Sequence, residues 1–350
     1  MVRTVRIVGS GLIGTSIALG LRPHSITSQM IDLDPARERL AQDLVGQAHK
    51  GPSELVILAL PTHAIASVIE AEFALNPHSI FMDVGSVKYE PLQHITESSL
   101  PLERFVATHP MAGREIGGAQ AARADLFAAR TWIIAPGAQT SQEAISVVTD
   151  VIQALCAHCV VMEAGEHDRA VAAISHLPQI LSSLLAGSLR DLPSQWLELC
   201  GAGLRDTTRI AASDPGLWSQ IIYSNRENLK GILDSMQSSL HDLTESLDDP
   251  AQIAEFIEAG RKGRARIPGK HGGMAREYSY LPIVIDDRPG QLAAIFNECA
   301  TIGVNIEDLS IEHSPGQLSA LITLSLSSSD AQLISDHLLS IGWNVHPVLK

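Results

Sequence analysis

Three groups of polar residues in this chain have side chains and positions suited to acid–base chemistry or ligand binding. Ser86 and Lys88 follow one predicted buried strand, and His109 follows another. A third group, Arg205–Arg209, lies in a predicted helical region. Open α/β sheets display ligand-contacting side chains at the carboxyl ends of their strands, and a histidine there can serve as a general base. A proline follows His109, which also suits a loop histidine without a catalytic role, so its position alone leaves both interpretations open.

The segment Val5–Leu21, VRIVGSGLIGTSIALGL, has the pattern of a dinucleotide-binding loop. A short β-branched strand precedes three glycines at G-x-G-x-x-G spacing, and an apolar helical run follows. The spacing predicts a tight turn, a close approach of the backbone to a pyrophosphate, and close packing of the helix on the strand. The residues predicted to contact the nucleotide from this loop are Gly9, Gly11, Leu12, Ile13 and Gly14.

Asp32 ends the second apolar stretch and completes this pattern. A carboxylate there accepts hydrogen bonds from the ribose hydroxyls and repels a 2′-phosphate, which predicts NAD rather than NADP as the cofactor. The N–H groups at the start of the following helix would meet the phosphates. The alternative is an ordinary glycine turn with a chance acid downstream.

Length, charge and cysteine content narrow the class of protein. The chain has 350 residues, 45% of them hydrophobic, which predicts more than one domain with ample core. A net charge of −14 argues against a nucleic-acid or membrane-surface partner. Cys156 and Cys159 form a C-x-x-C pair without a second pair nearby, so we expect no metal site. A first strand close to the N-terminus and the lack of a membrane-length apolar run predict a cytoplasmic protein.

The order of predicted elements indicates an α/β fold with further domains. Residues 1–164 alternate strands and helices, which predicts a doubly wound, mostly parallel Rossmann sheet that binds NAD. Residues 165–260 are predicted to be all-helical and to form the substrate-side wall and, by fold analogy, a homodimer interface. Residues 261–277 are glycine-rich and basic, which indicates a linker.

Residues 278–350 have a different pattern, β-α-β-β-α-β, which is typical of a ferredoxin-like domain. The predicted second strand opens at Gly303–Ile306 and runs through Ile311. The second helix is predicted over 331–341 and the last strand over 344–348.

Taken together, the motifs resemble the prephenate/arogenate dehydrogenase family of tyrosine biosynthesis, in the form with a C-terminal ACT domain. The matching motifs are VGSGLIGTSIA, DVGSVK, THPMAGRE, the EHD…SHLPQ stretch of residues 166–179, RDTTRIAASDPGLW, and DRPGQL with GVNIEDLSIEH. They lie in family order over nearly the whole chain. The resemblance implies an NAD-dependent oxidative decarboxylation of prephenate to 4-hydroxyphenylpyruvate.

The resemblance also implies roles for individual residues. His109 would take the proton of the ring hydroxyl, and Ser86 would bind that hydroxyl or orient His109. Arg209 would hold a substrate carboxylate in a bidentate fork. His176 and Gln179, one helical turn apart, would line the side-chain end of the pocket.

Some of these roles have alternatives. His176 could be a helix-packing histidine, and Arg209 could form a structural ion pair with Asp206. Arg114 and Glu115 follow the histidine motif and are expected to line or gate the pocket, with Glu115 a rim residue rather than a proton donor.

The residue at position 179 bears on the choice of substrate. Some family members have SHLPH where this chain has SHLPQ, and glutamine cannot titrate. Arogenate carries an ammonium in place of the keto group of prephenate, and a carboxylate at position 179 would select it. Gln179 is not acidic, so we favour prephenate, with arogenate as the alternative substrate.

Two other functional classes fit the sequence less well. A generic β-hydroxyacid dehydrogenase usually relies on a lysine in its helical domain, and no lysine occurs between Lys88 and Lys230. A non-catalytic sensor of NAD and an amino acid would leave Ser86, His109 and Arg209 without a task.

The ACT resemblance implies a regulatory module with L-tyrosine as its effector. The loop after its first strand and the start of its second would hold the ligand. The expected contact residues are Asp287, Pro289, Gly290, Gln291, Leu292, Val304 and Asn305. The alternative is a degenerate ACT domain that acts only in oligomerisation.

Overall fold

The computed structural model of the chain describes residues 2–98, 100–113, 116–267, 278–313 and 318–349. The chain divides into two compact units, Met1–Ser239 and Leu240–Lys350. Arg114 and Glu115 lie outside the described residues, as does most of the predicted linker.

A seven-stranded sheet forms the centre of the first unit, in the order β2-β1-β3-β4-β5-β6-β7. The strands are β1 Thr4–Val8, β2 Thr27–Ile31, β3 Leu55–Leu58, β4 Ile80–Asp83, β5 Phe105–Pro110, β6 Thr131–Pro136 and β7 His158–Val161. All neighbours run parallel except β5 and β6. The order changes direction between β1 and β3, which is where doubly wound sheets bind ligands. The predicted Rossmann-type sheet is therefore confirmed.

Helices cover both faces of this sheet, as the apolar strands require. They are α1 Leu12–Leu21, α2 Pro35–Val45, α3 Thr62–Leu75, α4 Tyr89–Glu97 and α5 Gln142–Ala154. All four residues of β3 are buried, because a parallel strand is covered on both faces. One apolar core cluster includes Ile17 of α1 and Val148 of α5. A second includes Ile65 of α3 and Phe81 of β4.

The antiparallel pairing of β5 with β6 changes one predicted boundary. His109 and Pro110 pair with Ile133 and Trp132, so β5 continues through Pro110 instead of ending at residue 108. His109 thus belongs to the strand itself, and its backbone is held by the sheet. Strand β7 begins two residues earlier than predicted, at His158.

The region after β7 is helical, as expected. Its helices are α6 Ala164–Val171, α7 Leu177–Ser188, α8 Ser194–Leu197, α9 Ala202–Thr208, α10 Pro215–Ser224, α11 Arg226–Glu245 and α12 Pro250–Ala265. A π-helical turn, Ala172–His176, joins α6 to α7, and a 3₁₀ segment, Arg209–Ala212, follows α9.

Helix α12 corrects the predicted start of the linker. It continues to Ala265, although the linker was expected to begin at residue 261. Glu258 lies 2.6 Å from Arg261 and 3.9 Å from Lys262, at spacings of three and four residues. Such pairs on neighbouring helical turns favour continuation of the helix, so a basic stretch remains helical here.

The run Ala164–Ser188 is long and apolar enough to span a membrane by length and composition, with a mean hydropathy of 1.4 over its best window. The expectation that no apolar run reaches this length was therefore wrong. This run also carries buried His167, Asp168 and His176, whose side chains are hydrogen-bonded within the first unit.

The second unit contains a four-stranded antiparallel sheet in the order β11-β8-β10-β9. Its strands are β8 Ser279–Asp286, β9 Asp308–His313, β10 Ser319–Leu326 and β11 Asn344–Val345, and its helices are α13 Gln291–Thr301 and α14 Ser328–Ser340. The described elements thus follow the order β-α-β-β-α-β around one apolar core.

Two boundaries in this unit differ from prediction. Strand β9 begins at Asp308, because the preceding residues form the exit from α13: the Val304 N–H donates to the Cys299 carbonyl at 2.9 Å. Helix α14 begins at Ser328, because the Ser327 hydroxyl accepts from the Asp330 N–H and caps the helix.

Candidate active site

The glycine loop after β1 has the shape of a nucleotide-binding turn. Gly9 has φ +111°, and a Cβ there would lie 2.1 Å from the Ala59 carbonyl oxygen. A Cβ at Gly14 would lie 2.1 Å from the Gly9 carbonyl oxygen. A Cβ at Gly11 would meet no described atom within 4 Å. Gly9 and Gly14 therefore serve the packing of the protein, while the space at Gly11 fits the approach of a ligand.

The residues around Gly11 also fit a dinucleotide electrostatically. Gly11 precedes α1 without a side-chain cap, so the first N–H groups of the helix face the loop. Leu12 and Ile13 begin α1 and are partly buried. The Asp32 carboxylate at the end of β2 accepts from the Ser10 N–H at 2.8 Å and from the Asp34 N–H at 3.0 Å. It is thereby held beside the glycine loop, as a ribose-binding carboxylate must be.

His109 lies at the same edge of the sheet, at the carboxyl end of β5. Its Nδ1 lies 2.9 Å from Nε2 of His167, and the two rings meet edge to face. His167 Nδ1 lies 2.7 Å from Oδ1 of Asp168. An Asp–His–His chain therefore ends at the predicted catalytic base.

The pKa of His109 is lowered well below its ordinary value. Burial is the main cause, and His167, Lys88 and His176 act in the same direction. A histidine with a lowered pKa is neutral at physiological pH, as a general base must be.

Lys88 and Asp83 form a buried ion pair beneath this site. The Lys88 ammonium donates to the Asp83 carboxylate and, at 2.6 Å, to the Thr108 carbonyl, and neither side chain is exposed. Burial lowers the pKa of Lys88, and Asp83 opposes part of that shift. The Asp83 carboxylate also accepts from the backbone N–H groups of Gly85 and Thr108. The pair therefore ties the β4 loop to the residue before His109.

Ser86 is partly buried in the loop after β4. Met82 pairs with Val106 in the parallel register, so the loop that carries Ser86 leaves β4 at the same edge of the sheet as the end of β5. Among the described residues the Ser86 hydroxyl has no hydrogen-bond partner, so it can bind a ligand.

His176 lies in the π-helical turn and is buried. Its Nδ1 lies 3.1 Å from Nδ2 of Asn225, and its ring meets Trp218 edge to face. Burial lowers its pKa to about 4, with Asp168 opposing the shift and His167 adding to it. π-Turns are common at functional sites, because they displace side chains from the regular helical position.

Gln179 lies on α7, and Arg209 lies on the neighbouring Arg209–Ala212 segment, which is hydrogen-bonded to α7. The buried Gln179 amide donates to the Ile210 carbonyl at 3.0 Å and to the Ser183 hydroxyl at 3.2 Å. Its oxygen accepts from the Ser213 hydroxyl at 3.4 Å. Arg209 begins the 3₁₀ segment that this amide holds, and its side chain is exposed.

Sequence reasoning missed three residues of the site: His167, Asp168 and Asn225. The EHD motif contains the first two, and a histidine next to an acid was a usable signal. Asn225 separates α10 from α11, where apolar periodicity had predicted one continuous helix over 215–246. Its amide donates to the Asp168 carbonyl at 2.8 Å as well as meeting His176.

The predicted regulatory loop lies in the second unit, beside a cavity of about 330 Å³. The lining includes five of the seven expected residues, Asp287, Pro289, Gly290, Gln291 and Leu292. Val304 and Asn305 do not line it. Val304 is buried in the loop before β9, and the Asn305 amide donates to Glu307 at 3.0 Å.

No metal centre is formed by the described part of the chain: no three His, Cys, Asp or Glu side chains there are grouped to hold an ion.

Comparison with known proteins identifies the family. The family model for "Prephenate dehydrogenase, nucleotide-binding domain" matches residues 22–161, and that for "Prephenate dehydrogenase, dimerization domain" matches residues 163–259. The "Probable prephenate dehydrogenase NovF" of Streptomyces niveus is 30% identical over 97% of this chain and 99% of its own length.

Two solved structures have the same fold over 75% of this chain. Prephenate dehydrogenase from Aquifex aeolicus, in complex with hydroxyphenyl propionate and NAD⁺, is 24% identical over 97% of its own chain, with a TM-score of 0.67. Synechocystis arogenate dehydrogenase is 25% identical over 98% of its own chain, with a TM-score of 0.62. Together with the glycine loop and Asp32, the nucleotide-binding match confirms NAD as the cofactor. The chain belongs to the prephenate dehydrogenase family.

Proposed function

We propose that this protein catalyses the NAD-dependent oxidative decarboxylation of prephenate to 4-hydroxyphenylpyruvate. The observation that carries the proposal is the position of His109, a histidine with a lowered pKa at the edge of the sheet that also bears the nucleotide loop. The neutral imidazole can take the proton of the ring hydroxyl. Ser86, in the loop after β4 at the same edge of the sheet, can donate to or accept from the same oxygen.

The proton and electron balance of this reaction suits a single base. NAD, when bound, accepts a hydride from the ring carbon that bears the hydroxyl. The hydroxyl proton passes to His109, the C–O bond becomes a carbonyl, and the ring carboxylate leaves as CO₂. The electrons of the broken C–C bond complete the aromatic ring, and the phenolic oxygen takes its proton back from His109. Aromatisation supplies the driving force, so the protein has mainly to orient the ring.

Arg209 supports the binding of a substrate carboxylate. It is exposed on a segment that the buried Gln179 amide holds by the Ile210 carbonyl. A guanidinium matches a carboxylate with two parallel hydrogen bonds. Arg114 and Glu115 stay predicted pocket residues.

Arogenate is the second candidate substrate, favoured by the likeness to Synechocystis arogenate dehydrogenase. An acid near the side chain of the substrate would select the ammonium of arogenate. The position where family members differ carries the neutral amide of Gln179, whose polar atoms already bond to Ile210, Ser183 and Ser213. This arrangement supports prephenate as the preferred substrate.

The test is NADH formation with prephenate and arogenate offered separately to the purified protein. We expect turnover of prephenate, its loss in His109→Asn, and a KM raised about 10- to 100-fold in Arg209→Ala, from the loss of a charged hydrogen bond. Arg190→Ala, at an exposed arginine of the same helical region, is the control and should leave the KM unchanged. Turnover of arogenate alone would reverse the choice of substrate, and no turnover of either would contradict the proposed function.

We also infer a homodimer formed through the helical region of the first unit. Large apolar side chains are exposed there, including Leu184, Trp196, Leu199 and Tyr223. Leu199 is 83% exposed in the single chain, which favours burial against a partner. Light scattering of Trp196→Glu and Leu199→Glu variants should give monomers, whereas dimers in both would exclude this surface. A cytoplasmic location stays a prediction.

Residues 278–350 are proposed to form an ACT domain that binds L-tyrosine. Its β-α-β-β-α-β order and the cavity beside the β8–α13 loop support this proposal. Gly290, at φ +92°, precedes α13 without a side-chain cap, so N–H groups are available to a carboxylate. Calorimetric titration of the full chain with L-tyrosine should show binding that Gly290→Val abolishes. If the full chain gives no binding heat with L-tyrosine, the result would favour a role in oligomerisation alone.

A further inference from the structure

The Asp168 carboxylate is the common acceptor for the backbone at the start of α4 and for the neighbouring His167 side chain. Its Oδ1 accepts from the Lys88 N–H at 2.8 Å, and its Oδ2 accepts from the Tyr89 N–H at 2.9 Å. Oδ1 also lies 2.7 Å from Nδ1 of His167. All of these contacts are buried or nearly so, with Asp168 and His167 each 1% exposed. The carboxylate therefore acts as an acceptor toward every neighbour it has among the described residues.

This arrangement determines which ring nitrogens carry protons. Because the carboxylate can only accept, the proton of neutral His167 must lie on Nδ1. Nε2 of His167 then has a lone pair, and it faces Nδ1 of His109 at 2.9 Å. Two lone pairs at this distance would repel, so Nδ1 of His109 must carry the proton. A neutral His109 then has its lone pair on Nε2.

The opposite arrangement is unfavourable at each step. If Nδ1 of His109 were the acceptor, Nε2 of His167 would have to donate, and Nδ1 of His167 would present a lone pair to the Asp168 carboxylate. That contact is buried, where two acceptors that face each other without a proton between them are strongly unfavourable. The backbone N–H groups of Lys88 and Tyr89 hold the carboxylate in place, so it cannot turn away.

We propose that Asp168 and His167 are positioning residues that fix the tautomer of His109, leaving Nε2 as the nitrogen that takes the substrate proton. This inference rests on the proposed role of His109 as the base. Among the described residues Nε2 of His109 has no hydrogen-bond partner, whereas Nδ1 is committed to His167. The same chain stabilises the imidazolium formed when the hydroxyl proton arrives, since its Nδ1–H points along a line of acceptors to a carboxylate. The proton stays on Nε2 and returns to the phenolic oxygen, so no proton has to pass through the chain.

Asn225 joins this chain to His176. Its amide donates to the Asp168 backbone carbonyl at 2.8 Å and lies 3.1 Å from Nδ1 of His176. The Asn225 oxygen accepts from the Asn228 amide at 2.7 Å, which fixes the orientation of the group. Asp168 is thus held through its backbone as well as through its carboxylate.

The first test is Asp168→Asn, which keeps the shape but leaves a single oxygen to accept from Lys88, Tyr89 and His167. That oxygen cannot satisfy all three donors, so His167 is no longer held with its proton on Nδ1, and His109 should populate both tautomers. We expect kcat for prephenate to fall about 10²- to 10⁴-fold with KM changed less than about threefold, because the fixed tautomer and the charge that stabilises the imidazolium are both lost. Asp191→Asn, at an exposed ion pair in the same helical region, is the control.

A second variant separates tautomer control from structure. His167→Gln can offer an amide oxygen to the Nδ1–H of His109 without Asp168, whereas His167→Phe cannot. We expect His167→Gln to retain more of the wild-type kcat than His167→Phe. Equal losses in the two variants would indicate a packing role and contradict the inference.

Nitrogen-15 NMR of the full-length protein measures the tautomer of His109 and does not require turnover. The wild type should show His109 protonated at Nδ1 and unprotonated at Nε2, and Asp168→Asn should show a mixture of the two tautomers. Wild-type His109 protonated at Nε2 would overturn the inference even if prephenate is turned over. A correct tautomer in a protein that oxidises neither substrate would instead reject the proposed function and leave the positioning chain standing.

Discussion

The side-chain amide of Gln179 donates to the backbone carbonyl of Ile210 at 3.0 Å, across the gap between α7 and the Arg209–Ala212 segment. The side chain at position 179 therefore helps to hold the segment that begins with Arg209. We expect Gln179→Leu to raise the KM for prephenate about 5- to 10-fold with a smaller change in kcat, because the Ile210 carbonyl loses its donor from α7 and, among the described residues, keeps only those of Ser213, so the segment shifts. Steady-state kinetics at saturating NAD measure this effect.

Ser183→Ala provides the matched control for this variant. It removes the other acceptor of the Gln179 amide and leaves the bond to Ile210 intact. Its KM should stay within about twofold of the wild type. A KM that rises equally in both variants would mean that α7 acts through its packing and not through this hydrogen bond.

The three fingerprint glycines should differ in how they respond to alanine. At Gly9 and Gly14 a Cβ would lie 2.1 Å from a backbone oxygen, so both alanine variants should be strongly destabilised or fail to fold. At Gly11 a Cβ meets nothing, so Gly11→Ala should keep the wild-type Tm and lose affinity for NAD about 10-fold or more. Thermal unfolding and NAD titration distinguish the two classes. A normal Kd for NAD in Gly11→Ala would contradict the nucleotide site.

The buried pair of Lys88 and Asp83 predicts a large loss of stability. Lys88→Met leaves the Asp83 carboxylate buried without its cation, which should lower the free energy of unfolding by about 3–5 kcal/mol. Urea unfolding measures the change. Lys230→Met, the same substitution at an exposed lysine, should change it by less than about 0.5 kcal/mol. Similar values for the two variants would show that the ion pair contributes little.

His176 predicts how stability depends on pH. Its pKa is lowered to about 4 in the folded protein, so between pH 6.5 and 4 the unfolded chain binds a proton that the folded protein does not. Stability is unaffected above this window and falls as pH falls through it. At pH 5 the loss from this residue is about 2 kcal/mol relative to pH 7.

His176→Gln should remove that part of the pH dependence, with His109 supplying a remaining slope in the same direction. The measurement is urea unfolding of each protein at pH 7 and pH 5. His78→Gln, at an exposed histidine, is the control. A wild-type slope in His176→Gln would mean that the histidine is not the group that titrates.

The sheet edge of the site was predictable from sequence. Apolar strands that alternate with helices require a parallel sheet, and in such a sheet the residues after β1 and β4 meet at one edge. The glycine loop, Ser86 and His109 follow directly from that rule. The strand boundary at His109 did not, because the antiparallel pairing with β6 depends on a strand that comes later in the chain.

The contacts that place His167 and Asp168 behind His109 could not be predicted from sequence. Asp168 bonds to backbone N–H groups of Lys88 and Tyr89, which are distant in sequence, so the contact depends on how α6 docks on the sheet. Asn225 interrupts a run whose apolar periodicity is that of one helix, and its polar partners lie on α6 and the π-turn. Local pattern carries no signal for such long-range hydrogen bonds.

The π-turn gives the helical run Ala164–Ser188 two independent faces. At Leu177 the N–H donates to the Ala172 carbonyl five residues earlier, one residue more than a regular helix allows. Each residue turns an α-helix by about 100°, so α7 is rotated by that amount relative to an uninterrupted continuation of α6. The half with His167 and Asp168 is therefore phased to the sheet, and the half with Gln179 is phased to the Arg209 segment. One inserted residue thus lets one helical run present His167 to the proposed base His109 and Gln179 to the segment that carries Arg209.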